Sequence, residues 1–498
     1  MAGRYGLRHA LYQQVVYDRL PVGVRFQLHR QIGEREERAY EGQAAEQAAK
    51  LAMHFDYGRD YGRAAPYRRQ AAENALRRHA YHEAISHLTR GLEVLQTLPT
   101  TRERDQHELE LQTLLGMVLI VTKGYAASDV ERTFARARAL CQQLGDTPHL
   151  FPVLWGLWMF ALVRAELQAA LDIGERLMPL VQNAPTPAFL LKRAHSVLGI
   201  TLFWCGELAP ARTHFEQPSP PYEPPQPSWL PFFYAQDAGV VSLNYLSCTL
   251  WFLGYPDQAL SKSHAALAGA RQLSHPHNLA LALYLVAWLH QLRGEVPTMH
   301  ERVEELAALA SQEGFTFWAA IATTWRGWIL TAQGPHAEGI AQLLQGLSAH
   351  RATGARLSQA ARLTLLAECY WKAGQVEDGL QAVTEALVST ETTGERLYEA
   401  ELHRLKGELL LQAGGQRPKI PIDQEAERCF QQSLAVARRQ EAKSLELRAA
   451  RSLSRLWQQQ GKRDAARELL APVYGWFTEG FDTADLQEAK ALLDELEG

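Results

Sequence analysis

A glycine, four residues, a small residue, three more and an apolar residue recur along this chain at intervals near forty, and that recurrence limits the fold more than any single segment does. The copies are Gly206-Ala211-Phe215, Gly294-Met299-Val303, Gly334-Gly339-Leu343, Gly374-Gly379-Val383 and Gly461-Ala466-Leu470. Gly254-Ala259 opens a sixth, in which Ser263 replaces the apolar residue. A unit this short cannot bury its own hydrophobic face. Stacked against its neighbours it builds a continuous core and leaves extended faces for partners.

Within each unit the apolar period is helical. Around Gly374, Leu363, Leu366, Ala367 and Tyr370 fall on one face of a first helix, Lys372-Ala373-Gly374-Gln375 makes the turn, and Leu380, Val383, Ala386 and Leu387 stripe a second helix. Glycine at the turn supplies the left-handed backbone that ends a helix. The spacing is 40 from Gly254 through Gly294 and Gly334 to Gly374. The stretch from Gly374 to Gly461 holds one further αα-hairpin, its helices carrying Leu405-Lys406-Gly407 and Ala426–Phe430 around a longer loop at Gly414–Pro418. Glu216–Pro231, with seven prolines, is a non-helical insertion. Toward the N-terminus the units are less regular, with second-helix patterns at Ala64-Tyr67-Ala71, Ala84-Leu88-Gly91 and Ala170. No stretch alternates as a strand does. The expectation is an all-α superhelix of about ten αα units of about 40 residues, closed by a capping helix after Thr483.

Composition narrows the function classes. The net charge of -4 carries no concentrated basic face, so a nucleic-acid footprint is not expected. The five cysteines, Cys141, Cys205, Cys248, Cys369 and Cys429, are widely spaced and odd in number, which reads as reduced thiols in a cytoplasmic protein. The longest apolar run, Leu279–Leu289, is too short for a bilayer, and the N-terminus has no apolar core of a secretory signal. His275-Pro276-His277 lacks a third metal ligand, and no G-x-S-x-G elbow supports a Ser/His/Asp set. No catalytic residue, metal or cofactor is assigned.

The L-G-x-x-Y…A-x-x-x-F pattern of tetratricopeptide repeats is similar to Leu366-Ala367-Glu368-Cys369-Tyr370 with Gly379 and Val383, and to Leu198–Leu202 with Ala211 and Phe215. Five further stretches carry a broader likeness: Ala71–Leu92, Lys123-Gly124-Tyr125-Ala126, Leu154–Trp158, Gly254–Ala259 and Ala471–Asp482. In these the chain resembles the C-terminal helical arm of bacterial proteins that join an adenylate/guanylate cyclase or DNA-binding domain to a STAND-type ATPase. The resemblance implies a winged-helix remnant over 1–42, a repeat solenoid over 43–478 with the proline-rich loop at 216–231, and a cap over 479–498. It also implies a sensor arm without the catalytic half, because no G-x-x-x-x-G-K-[ST] loop is present and the only Gly-Lys, Gly461-Lys462, lies in a repeat turn. ATPase or cyclase activity and transcriptional regulation are the rival readings that such relatives suggest.

Ten of the twelve tryptophans lie between Trp155 and Trp371. Trp204, Trp251, Tyr284, Trp288, Trp328 and Trp371 fall at short offsets before turn glycines, positions that the repeat resemblance puts on a concave groove. Stacked aromatics there suit a protein partner or a small, flat effector. The alternative is that they fill core space between long helices. An ATPase or cyclase module at the N-terminal end is the further partner, and no membrane partner is expected.

Overall fold

The computed structural model describes residues 15, 17–40, 44–145, 149–182, 188–218, 237–273, 275–414 and 420–497, and these are helical with short turns and no strand. Most of the proline-rich loop, residues 1–14 of the winged-helix expectation and the loop at 415–419 lie outside the described residues. Two compact units are formed. The first reaches Thr122 and includes Ser128–Val153; the second comprises Lys123–Ala127 and the described residues from Leu154 to Pro225 and from Tyr234 onward.

In the smaller unit, helices Ala48–Tyr57, Tyr61–Arg77 and Tyr81–Gln96 pack in succession. Asp56, Arg68 and Arg90, one from each, form a partly buried ion cluster with N–O separations of 2.9 Å. Burial acts to raise the Asp56 pKa, but hydrogen bonds from Arg90 and Arg68 outweigh it and hold the carboxyl below its usual range. Acids of helix Val22–Ala39 pair with bases on it and on the next two helices: Glu34 with Arg30, Glu36 with Lys50 and Glu37 with Arg63.

The larger unit holds the regular array. Helices of 15 to 18 residues run Pro276–Arg293, Val296–Glu313, Thr316–Gln333, His336–Ala352, Gln359–Ala373 and Val376–Thr393. Left-handed or positive-φ glycines follow at 294, 314, 334, 354, 374 and 394, so one helix and its turn occupy twenty residues. The two helices of the Gly374 hairpin bury Leu363, Leu366, Ala367, Val383 and Ala386 as the period requires. At the C-terminal end, helix Ala484–Glu497 buries Leu486, Ala489, Leu492, Leu493 and Leu496 in a cluster with Phe430, Leu453 and Leu470. The Thr483 hydroxyl donates back to the Gly480 carbonyl at 2.6 Å.

Helix ends in this unit are completed from far along the chain. The Val163 carbonyl accepts from the Arg356 and Leu357 amides at 2.8 and 2.9 Å, the Trp204 carbonyl from the Arg396 amide at 3.0 Å, and the Trp251 carbonyl from the Ser444 hydroxyl at 2.5 Å. The last pair is 193 residues apart, and the other two match that spacing to within one residue. The final carbonyls of a helix have no partner within it. Here the segment entering a first helix about five units later supplies one, so the inner faces of units far apart in sequence lie against each other.

A second long-range junction joins two of the stretches singled out above. One Glu479 carboxylate oxygen accepts from the Asp257 and Gln258 amides at 2.9 and 3.0 Å, closing the first turn of helix Pro256–Gln272. The Gly480 amide donates to Asp257 Oδ2 at 3.1 Å, and Trp476 packs 5.5 Å from the Tyr255 ring. A Cβ on Gly480 would stand 2.0 Å from Pro256 Cγ, and its φ of +77° already disfavours any other residue.

Candidate functional site

The inner face of the larger unit is where large aromatic side chains meet. Helix Pro276–Arg293 is buried or half-buried nearly all round because it packs against its hairpin partner and also faces inward; Leu283, Leu285, Trp288 and Leu289 are all buried. Trp288 is stacked with Trp204 at 5.7 Å between ring centroids, with Tyr284 at 6.1 Å and with Tyr398 at 6.2 Å. Its indole N–H donates to the Tyr398 hydroxyl at 2.8 Å.

Beside this stack is a cavity of about 70 Å³, lined chiefly by aromatic and aliphatic side chains, among them Tyr125, Trp158, Trp204, Tyr245, Tyr284 and Trp318. A second space of about 20 Å³ lies against Trp288, Trp325, Arg362 and Tyr398. Tyr284, Ile321 and Ser358 line both.

Polar groups at these walls are few and specific. The Trp158 indole donates to Thr201 Oγ1 at 2.9 Å. His277 Nδ1 accepts from the Trp318 indole at 3.4 Å, which leaves the ring proton on Nε2, facing the Tyr125 hydroxyl. Burial, with a smaller contribution from His275, pushes the His277 pKa down to about 3, so the ring is neutral. His350 is lowered to about 2 by burial and by the Arg362 charge.

Arg362 sits one turn into helix Gln359–Ala373 and is 7% exposed. It donates to the Leu357 carbonyl at 3.0 Å, to His350 Nε2 at 2.6 Å and to the Ser358 hydroxyl. Ser358 takes the left-handed conformation, φ 59°, so the chain bends here to bring its carbonyl and hydroxyl to the guanidinium. The neighbouring carboxyl, Glu395, is 1% exposed; burial pushes it up to about 8 despite Arg362 and the backbone N–H groups of Ala361, Ser358 and Gln359.

Of the six aromatics expected on a groove, Trp204, Tyr284 and Trp288 come together at this site. The other three do not join them. Trp251 lies under the Arg448 guanidinium at 4.9 Å, Trp328 donates to Glu368 at 3.0 Å with Lys372 over its ring, and half-buried Trp371 offers its carbonyl to Gln412. Sequence reasoning missed Trp158, Trp318, Tyr398, His350, Ser358 and Arg362. Two signals for the site were present, since Lys123-Gly124-Tyr125-Ala126 and Leu154–Trp158 each contribute a lining residue, Tyr125 and Trp158. For Arg362 and Ser358 nothing in the local pattern marks them. Among the described residues no group of three His, Cys, Asp or Glu side chains is arranged to hold a metal ion, and no helix is long and apolar enough to cross a membrane.

No protein-family model matches the chain. It is 25% identical over 458 residues to an uncharacterized protein of Rhizobium meliloti (strain 1021), covering 91% of this chain and only 43% of that relative. Among solved structures it is similar to a Rap protein complexed with Competence and Sporulation Factor, at 11% identity and a TM-score of 0.41 over 87% of this chain and 99% of that one. It is also similar to a signal transduction ATPase with numerous domains (STAND) with a tetratricopeptide repeat sensor from Pyrococcus horikoshii, at 13% identity and a TM-score of 0.40 over 78% and 54%. Yeast Tom70 is similar at 9% identity and a TM-score of 0.34 over 95% of each chain.

Proposed function

We propose that this chain is a non-catalytic helical-repeat scaffold whose larger unit binds an effector at the inner aromatic site, and that it serves as the sensor arm of a bacterial ATPase or cyclase signalling system. The observation that carries the binding reading is the cavity bounded by Trp204, Tyr284 and Trp318, next to the Trp288–Tyr398 pair. Concave, mostly apolar spaces with a few placed polar groups are the usual form of small-molecule sites. Its walls come from segments far apart in sequence, from Tyr125 to Ser358. A ligand there touches the first helices of several units together, so it favours whichever curvature closes those walls, and that preference is felt at the unit ends. The signalling part rests on the stretches shared with STAND-type arms and on a bacterial relative of which this chain spans 43%.

Trp204, Trp288 and Trp318 make intrinsic fluorescence a direct probe of the site. A library of small effectors titrated against the purified chain is expected to yield ligands that quench this emission and raise the melting temperature. Steady hydrolysis of ATP, or its cyclisation, by the same preparation would overturn the non-catalytic reading.

A further inference from the structure

Arg362 is a buried cation at a cavity wall, and none of its hydrogen bonds among the described residues ends on a carboxylate. Its partners are two carbonyl oxygens, a hydroxyl and the imidazole of His350. Charged side chains are rarely buried without an opposite charge, because the desolvation cost is then uncompensated. Glu395 is the carboxyl nearest in charge interaction, but it makes no ion pair with Arg362, and its elevated pKa leaves it mostly protonated at neutral pH. Arg362 is the only charged residue lining the smaller space, and the larger space is lined by uncharged residues, the neutral His350 among them.

The two spaces differ in the group they accommodate. About 10 to 15 Å³ holds one water-sized sphere, so the 20 Å³ space has room for one or two oxygen atoms and the 70 Å³ space for roughly five such spheres, near the size of one aromatic ring. The smaller has Arg362 and Ser358 in its wall, and the larger is bounded by Trp158, Trp204, Tyr284 and Trp318.

We propose that the site receives a small planar monocarboxylate, its carboxylate against Arg362 and Ser358 and its ring among Trp204, Tyr284 and Trp318. This rests on the reading of the inner aromatic face as the effector site and adds the ligand's charge and shape. Both terminal nitrogens of Arg362 already donate to Leu357, Ser358 and His350, so a carboxylate is matched by the guanidinium's charge and its Nε–H, while the flanking rings match a flat apolar body. An amide of the same shape fills the same space but leaves the cation uncompensated, so the site discriminates by charge more than by outline.

The test is calorimetric titration of the full chain at pH 7 with benzoate, 3-hydroxybenzoate and pyridine-3-carboxylate, each beside its primary amide. At least one acid is expected to bind tenfold or more tightly than its amide. Arg362→Met is expected to abolish that preference; Arg362→Lys, which keeps the charge, is expected to retain part of it. Leu281→Trp fills the larger space and is expected to remove binding of acid and amide alike. Equal affinity of acid and amide in the unmodified chain overturns the carboxylate assignment and leaves the effector site standing. No binding of any of the six overturns both. Because the acid–amide comparison is made on the unmodified protein, it stands even if Arg362→Met fails to fold.

Discussion

The indole N–H of Trp288 donates to the hydroxyl of Tyr398 at 2.8 Å, joining two helix-bearing segments 110 residues apart at the centre of the aromatic stack. Both partners are almost fully buried, at 2% and 5% exposure, so neither can exchange the other for water. Trp288→Ala removes the stack as well as the bond and is expected to cost about 3–5 kcal/mol in urea denaturation. Tyr398→Phe removes only the hydroxyl and is expected to cost about 1–3 kcal/mol, since the indole N–H is left without an acceptor. If Trp288→Ala unfolds no more easily than the parent chain, the residue is not part of the core.

The junction at Gly480 predicts a sharp contrast between two glycine substitutions. Gly374→Ala places a Cβ in open space, so its penalty is the left-handed backbone alone, about 1 kcal/mol. Gly480→Ala incurs the same penalty and adds a clash with the Pro256 ring, so a further ~1–3 kcal/mol is expected. Paired denaturation curves that coincide would contradict this.

Acid should weaken the larger unit through His277 and His350. Both are held neutral, with folded pKa values of about 3 and about 2 against an ordinary 6.5. Groups with lowered folded pKa bind protons more readily once unfolded, so their stabilising effect is present above about pH 6.5 and is lost as pH falls toward 3. Between pH 7 and 5 each contributes at most about 2 kcal/mol of loss. His350 touches Arg362, and His277 faces Tyr125 and Trp318 with His275 nearby, so no carboxylate is hydrogen-bonded to either ring to compensate protonation. Melting temperatures of the His277→Gln, His350→Gln double variant are expected to change less over this interval than those of the parent.

Glu395 acts in the opposite direction along the pH scale. Its folded pKa, raised to about 8 from 4.5, means that ionisation opposes folding increasingly as pH rises through that window. Glu395→Gln is therefore expected to melt higher than the parent at pH 9 while the two differ little at pH 5, with a gain on the order of a few kcal/mol at the upper end. The same ordering at both pH values would show that the carboxyl does not carry the effect.

The turns were legible where glycine makes them. Gly206, Gly254, Gly294, Gly334, Gly374 and Gly461 all have positive φ, as a helix-ending glycine should. The irregular N-terminal units were hard to place because other residues make the same turn: Arg59, His79 and Ala165 hold φ values of 54° to 58° with neighbours that supply the helix ends. The glycines at 314, 354 and 394 mark the turns between hairpins, positions outside the repeating glycine pattern. For the candidate site, spacing from a turn glycine selects Trp204, Tyr284 and Trp288, whose rings do meet. It gave equal weight to Trp251, Trp328 and Trp371, because an offset along one helix carries no information about which distant unit that helix faces. Arg362 and Tyr398 gain their importance only from that facing, which is set by contacts some 110 to 193 residues long.

The constant spacing that links Val163 to Arg356, Trp204 to Arg396 and Trp251 to Ser444 has a consequence for how this array can vary. In an open stack, where each repeat meets only its neighbours, one hairpin can be gained or lost at a cost confined to the break. Here, excising a single hairpin between Trp251 and Arg356 would put every donor past the cut out of phase with its acceptor at once. Gain or loss of a single repeat there therefore breaks all three contacts together, and melting of this part should be one concerted event rather than a progressive fraying from the ends.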